Sequence, residues 1–404
     1  MVSWGLKIRG QQPIGLDIGH NSIRMIQLLI DDEQISVIAA DETHIDAGVN
    51  DDEQARRSFV ISAIKRMLAN GSYHGRNVVS CLPSGKLRIT SLRLAETERY
   101  DIEQALRREV TQRFGLDPDK DAMDYVVAGS VLQGDEVKNE LILFATDNET
   151  IKSHIEMLEE TELIPVAIDT IPCALFRSFE RSLRRQEDRE RTSVFVDVGS
   201  YLTTVVFGRG GEISFVKQIS IGGQNFTQEI AAKLGVNVSE AETLRESLRA
   251  DPDLFSEKSD LAVAEQTPAE NRHNVDPSTR QVMVDAVNAV AEDLAKEVSL
   301  CLRYYTVTFR GKRVERAVFA GGGAYEDILL NVLKRRLAVE IEVAQPLKGF
   351  DLSGARTNVH FNSSRRGLFC EWAVAVGLSL KGWDRVKTGK LQARYELRES
   401  YERN

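Results

Sequence analysis

Two aspartates carry the first chemical signal in this sequence. Asp17 stands in Ile14-Gly15-Leu16-Asp17-Ile18-Gly19. Asp197 stands in Phe195-Val196-Asp197-Val198-Gly199, a shift of 180 positions from 17 to 197. In each copy an apolar run ends in Asp-x-Gly and small polar residues follow: His20-Asn21-Ser22 in the first, Ser200 and then Thr203-Thr204 in the second. A tight loop of this kind offers successive backbone N–H groups, a nest for an anion. The side chains of Asn21, Ser22, Ser200 and Thr203 can reach phosphate oxygens. Two carboxylates beside a phosphate chain repel it unless a cation lies between. A hydrated Mg²⁺ resolves the conflict, since it prefers oxygen ligands and keeps its waters. The pattern therefore predicts Asp17 and Asp197 as metal carboxylates acting through water. A third signal is Gly321-Gly322-Gly323, between a strand at 317–320 and a helix bearing Ile328, Leu329, Val332 and Leu333. A backbone without Cβ atoms there can lie close against a flat ligand.

The elements that must position these groups are legible as a repeat. Each Asp-x-Gly opens a hairpin, with strands expected at 23–30 and 35–39 in the first copy and at 203–207 and 212–219 in the second. Ile221-Gly222-Gly223-Gln224-Asn225-Phe226 leads into a helix ending near Leu234. Asn225 or Gly223 is expected at its start and Gly235 at its end. Ser239 and Glu242 have capping-box spacing for the next helix. Met283, Val287, Val290, Leu294, Val298, Cys301 and Tyr305 place one buried stripe on a long helix at 281–305. An insertion in the first half holds a charged helix with Ile102, Leu106, Val110 and Phe114 at four-residue steps, and a strand at 141–145. That stripe is expected to pack on the insertion's own sheet, leaving the sheet's other side as a possible partner groove.

Composition narrows the function. The 404 residues suggest about two or three domains. With 52 Lys and Arg against 61 Asp and Glu the net charge is −9, which argues against binding nucleic acid or anionic lipid by bulk charge. No apolar run approaches the ~20 residues of a membrane-spanning helix, and the N-terminal residues lack the apolar core of a secretory signal. Cys81, Cys173, Cys301 and Cys370 are scattered, so neither a zinc site nor a disulfide framework is expected. A reducing cytosol fits this usage.

The chain resembles the actin-like ATPase superfamily. Gly15–Gly19 looks like its first phosphate loop, Val196–Ser200 its second, and Ala320–Ala324 its adenosine motif. Asp169–Phe179 and Trp372–Leu380 look like its two connecting helices. Within that superfamily it resembles the PilM family of type IV pilus assembly proteins, on the segments 101–110, 158–169, 219–225 and 240–245. The resemblance implies an α/β fold: two duplicated ribonuclease-H-like lobes around a nucleotide cleft, with a small inserted subdomain. The first lobe would span 14–180, with the insertion at about 85–165. The second would span 181–382, with a polar insertion at about 250–280. Residues 1–13 and 383–404 would be tails, the latter charged. ATP and Mg²⁺ are the implied cofactors. Gly15, Asp17, Gly19, Asn21 and Ser22 would form the first half of the phosphate site. Asp197, Gly199, Ser200 and Thr203 would form the second half, with Gly222 and Gly223 behind them. Glu242 and Arg245 would approach the sugar and base, and Gly321, Gly322 and Gly323 the adenosine. The implied partner is the N-terminal cytoplasmic tail of a bitopic, PilN-like membrane protein, bound near the inserted subdomain. Other platform or motor components are possible partners, and self-association stays open. The chain would be cytoplasmic, held at the inner membrane through its partner.

The sequence also departs from the superfamily. Ile171 precedes Pro172 where many members carry a Glu that positions the attacking water. His20 stands where Ser or Thr is common. No catalytic residue is assigned, and weak or absent hydrolysis is expected. Two rivals share the fold: an FtsA-like filament-forming, membrane-associated ATPase and a small-molecule kinase. The first needs an amphipathic C-terminal helix, and 384–404 offers no wide apolar face. The second needs a carboxylate base that the sequence does not place.

Overall fold

The computed structural model describes residues 9–31, 34–50, 52–95, 99–133, 136–180, 191–249, 276–309, 313–357, 359 and 368–381. Most of the polar 250–280 stretch and the whole 383–404 tail lie outside the described residues. The stretch at 277–280 is already helical.

Two sheets repeat one strand order. In the first, β2 (Ile14–Ile18) pairs antiparallel with β3 (Ser22–Asp31), and β3 with β4 (Gln34–His44). On its other edge β2 runs parallel to β5 (Asn77–Cys81), and β5 to β9 (Ile164–Asp169). In the second, β10 (Thr192–Val198) takes the place of β2. It pairs antiparallel with β11 (Thr203–Arg209), which pairs with β12 (Glu212–Ile219). Its other edge runs parallel to β13 (Val314–Ala320) and then β14 (Glu340–Val343). The central strands are apolar on both faces, as strands covered on both sides must be. The first sheet gains β15 (Arg356–Thr357) beside β4 and β1 (Arg9–Gln11) beside β3. Residues 9–11, expected in a tail, thus form a strand, because β3 extends to Asp31 and offers an open edge.

Helices cover these sheets. Asp52 caps α1 (Glu53–Asn70), and α3 (Asn148–Glu160) packs beside it. The first sheet leads into α4 (Ile171–Glu180). In the second half, α5 (Gly223–Leu234) ends on Gly235, whose φ of 69° is the left-handed value that favours glycine. The next helix, α6 (Val238–Arg249), is capped by Asn237, whose side chain accepts from the Glu240 amide at 2.9 Å. Ser239 lies inside the helix, so the expected capping box is displaced by two residues. The long helix α7 (Pro277–Thr308) starts on Asp276, and its apolar stripe is buried against β12 and α5. The adenosine-type turn follows β13 and leads to α8 (Asp327–Arg336). The chain then returns through α9 (Ala373–Ser379) to the first sheet.

The inserted sheet orders β6 (Arg88–Ala95), β8 (Glu136–Thr146) and β7 (Ala122–Gln133). Leu141, Leu143 and Ala145 face Leu106 and Val110, which lie on α2 (Arg99–Glu109) and the π turn that continues it. The opposite face is also closed. Ile142, Phe144, Ala128 and Val131 join the hydrophobic core of the second half, with β12 against all three strands. The sheet's second side is therefore core and not a partner groove. Arg93 marks the rim of this contact: it donates to Glu140 at 2.7 Å, Tyr304 at 3.2 Å and Thr308 at 3.4 Å.

Candidate functional site

Both Asp-x-Gly loops make the same turn. The Gly19 amide donates to the Ser22 carbonyl at 2.9 Å, and the Gly199 amide to the Leu202 carbonyl at 3.1 Å. Asp17 and Asp197 sit at the carboxyl ends of the two central strands, where α/β sheets bind ligands. Burial lifts the Asp17 carboxyl to about 6, against the pull of Arg24. Burial, reinforced by the Asp17 charge, lifts Asp197 to about 7, again opposed by Arg24. A buried carboxyl raised by its neighbour's charge shares a weakly hydrated space with it. The buried Cys81 thiol feels Asp17, Asp169 and Asp197 together, and burial with these charges pushes it well up.

Arg24 is the residue that the sequence reading missed. It lies directly across the hairpin from Asp17. One terminal nitrogen holds Glu42 at 2.6 Å, while its buried Nε has no hydrogen-bond partner. Burial opposes its charge, but Glu42, Glu371 and Asp17 outweigh burial and hold its pKa above the ordinary value. Counting back from the two-residue loop would have placed Arg24 opposite Asp17. A second arginine, Arg56 of α1, donates to the Gly19 carbonyl at 2.7 Å and the His20 carbonyl at 3.0 Å, fixing the first loop from behind.

The second loop is tied to α5. The amides of Gly223 and Gln224 donate to the carbonyls of Gly199 and Ser200, each at 2.8 Å. A Cβ on Gly222 would stand 2.5 Å from the Ser200 carbonyl oxygen. Behind this junction Arg245 is buried. It donates to Glu326 at 2.6 Å, to the Gly223 carbonyl at 2.5 Å and to Thr227 at 3.1 Å, over the Phe226 ring. Its remaining nitrogen has no partner. Burial lowers its pKa to about 10 despite Glu326. Arg245 thus pairs with Glu326, at the end of the glycine turn, and Glu242 is only a secondary charge nearby.

The glycine turn presses on the second loop. Gly321 has φ 80°, and a Cβ there would stand 2.5 Å from Asp197 Oδ1. Gly322 faces open space. Tyr325 donates to Glu371, and the Gly321 amide to the Cys370 carbonyl at 3.1 Å, so the turn is latched to the head of α9.

Three expected or considered positions serve the scaffold. Gly15 lies beneath α9, where a Cβ would stand 2.1 Å from the Ala375 carbonyl oxygen. It admits a helix and not a phosphate. Thr203 is buried, and its hydroxyl donates to the Ile221 carbonyl at 2.7 Å. Asp169 is held by Arg177 at 2.8 Å and Lys381 at 3.2 Å, an ion cluster joining α4 to the end of α9. Among the described residues no group of three or more His, Cys, Asp and Glu is placed to hold a metal. No described helix is long and apolar enough to cross a membrane.

Duplicated sheets, paired Asp-Gly loops and a glycine turn against the second loop define an α/β protein with the actin-like ATPase fold. Comparison with solved structures agrees. The "PilM-PilN type IV pilus biogenesis complex" matches with a TM-score of 0.70 at 20% identity, covering 92% of this chain and 98% of that one. The ethanolamine utilization protein EutJ from Carboxydothermus hydrogenoformans matches with a TM-score of 0.50 at 15% identity, covering 92% and 89%. The family profile described as "Type IV pilus assembly protein PilM" matches residues 15–254 and 265–383. The chain belongs to this family.

Proposed function

We propose that this chain is a nucleotide-binding adaptor of the type IV pilus inner-membrane platform. It binds ATP between its two sheets and the N-terminal cytoplasmic tail of a bitopic, PilN-like protein elsewhere. The observation that carries the nucleotide reading is convergence. Two phosphate-type loops, a buried arginine with a free Nε and a glycine turn all meet at Asp17 and Asp197. The loops and Arg24 would hold the phosphates. Gly321–Gly323 and the free nitrogen of Arg245 would meet the nucleoside. Asp17 and Asp197 would hold Mg²⁺, an oxygen-seeking cation that suits paired carboxyls and keeps its waters. When bound, it neutralises phosphate charge.

Hydrolysis is weak or absent on this reading. Ile171 cannot orient water, and Asp169 is committed to Arg177 and Lys381. Family membership and the likeness to a PilM–PilN complex support the partner. The chain would then work in the cytoplasm, attached to the inner membrane through that tail. The lobes would divide near residue 180, with the insertion centred on the sheet at 88–146.

The test is calorimetric titration of the partner's tail peptide, with and without Mg-ATP, on the native chain and Asp197→Asn. Micromolar peptide binding and loss of ATP binding in the variant are expected. An unbound peptide sinks the adaptor reading. Rapid phosphate release that is lost in the variant sinks the reading of weak hydrolysis.

A further inference from the structure

The two phosphate-type loops touch one another. His20 and Tyr201 meet edge to face, with ring centroids 4.3 Å apart. Beside them the Ser200 hydroxyl donates to Asn21 Oδ1 at 3.4 Å. Each loop is separately anchored by its backbone, the first on Arg56 and the second on the start of α5. These four side chains bridge the gap between them. His20 is half-buried and Tyr201 is 51% exposed, so neither is needed to fill a core.

We propose that His20 and Tyr201 form a clasp that makes the cleft discriminate against a terminal phosphate, and so favour nucleoside diphosphates over triphosphates. This rests on the nucleotide reading above. On that reading Asn21 and Ser200 would meet the outermost phosphate, and here they bind each other. A third phosphoryl group between the loops needs both donors, so it must part them and separate the rings. A diphosphate lying deeper, against Asp17, Asp197 and Arg24, leaves the clasp shut. The clasp and the terminal phosphate compete for the same space. His20 and Tyr201 are therefore positioning residues: they act on the phosphates through Asn21 and Ser200.

Fluorescent analogues of ADP and ATP, titrated with Mg²⁺, read the clasp as a ratio of affinities. His20→Ala and Tyr201→Ala should each shift that ratio toward the triphosphate by roughly three- to tenfold, the worth of one edge-to-face ring pair. The double variant should shift it no further, because one contact has been removed in either case. Tyr201→Phe keeps the ring and should keep the native ratio. Melting curves of all four variants confirm that they fold. An unchanged ratio in the alanine variants, additive shifts in the double variant, or a Phe variant that behaves like Ala overturns the clasp and leaves nucleotide binding standing. If the native chain binds neither analogue, the nucleotide reading fails and the clasp falls with it.

Discussion

Asp17 faces Arg24 across its hairpin, whereas Asp197 faces Thr204. The strand order around the two aspartates is the same and the loop turn is the same, yet each half supplies a different share of the site. The first brings the cations, Arg24 and Arg56. The second brings the glycine turn and the buried Arg245–Glu326 pair. The same asymmetry holds beneath the loops. Gly15 lets α9 press on the first central strand, while its counterpart Phe195 stacks on Phe179 of α4, with centroids 5.1 Å apart. The duplication thus conserved the backbone that makes a phosphate turn. The side chains were free to divide charge and packing between the halves.

That division predicts opposite failures from two packing changes, the largest effects expected. Gly15→Ala forces a Cβ into the α9 backbone, which cannot repack, and should cost about 3 kcal/mol or more. Phe195→Ala leaves a void and should cost about 3–5 kcal/mol. Urea unfolding measures both, and a Gly15→Ala protein of native stability would break the contrast. Next in size is the charge opposite each aspartate. Arg24→Met should weaken nucleotide binding roughly ten- to a hundredfold, as loss of a hydrogen bond to a charged group does. Thr204→Val should change it less than threefold, within the spread for a lost neutral contact. Equal losses would mean that the halves share the phosphates evenly.

A further effect, similar in size to that of Arg24→Met, is a dependence on pH. Asp17 and Asp197 are raised above their unfolded value, to about 6 and about 7. Their contribution to stability is full at low pH and is lost as pH rises through those values. In chelator the native chain should lose about 2 kcal/mol between pH 5 and 8, a magnitude moderated because Asp197 is partly open. Asp197→Asn should lose less. A steeper loss in the variant would place the proton elsewhere.

Local pattern carried much of this into the sequence. The two loops, the hairpins, the glycine turn and the stripe on α7 each depend on neighbours within a few residues, and all could be read directly. Arg24 was within reach through hairpin register. Glu326 and Glu371 were not, because their meaning comes from partners 81 and 46 residues away. Asn237 outcompeted Ser239 as a cap because both have suitable side chains, and only the backbone decides between them. The second face of the inserted sheet was the hardest feature to read. Alternation shows that a face is apolar, not what covers it.

That covering has a consequence for synthesis. Ile142 and Phe144 leave the ribosome with their apolar face bare, and their cover on β12 is complete only about 75 residues later. At common rates of translation the interval is roughly 4–15 s. Through that time the growing chain carries an unfinished surface suited to aggregation. The emerging first half is thus a natural client for a chaperone, well before any pilus component can meet it.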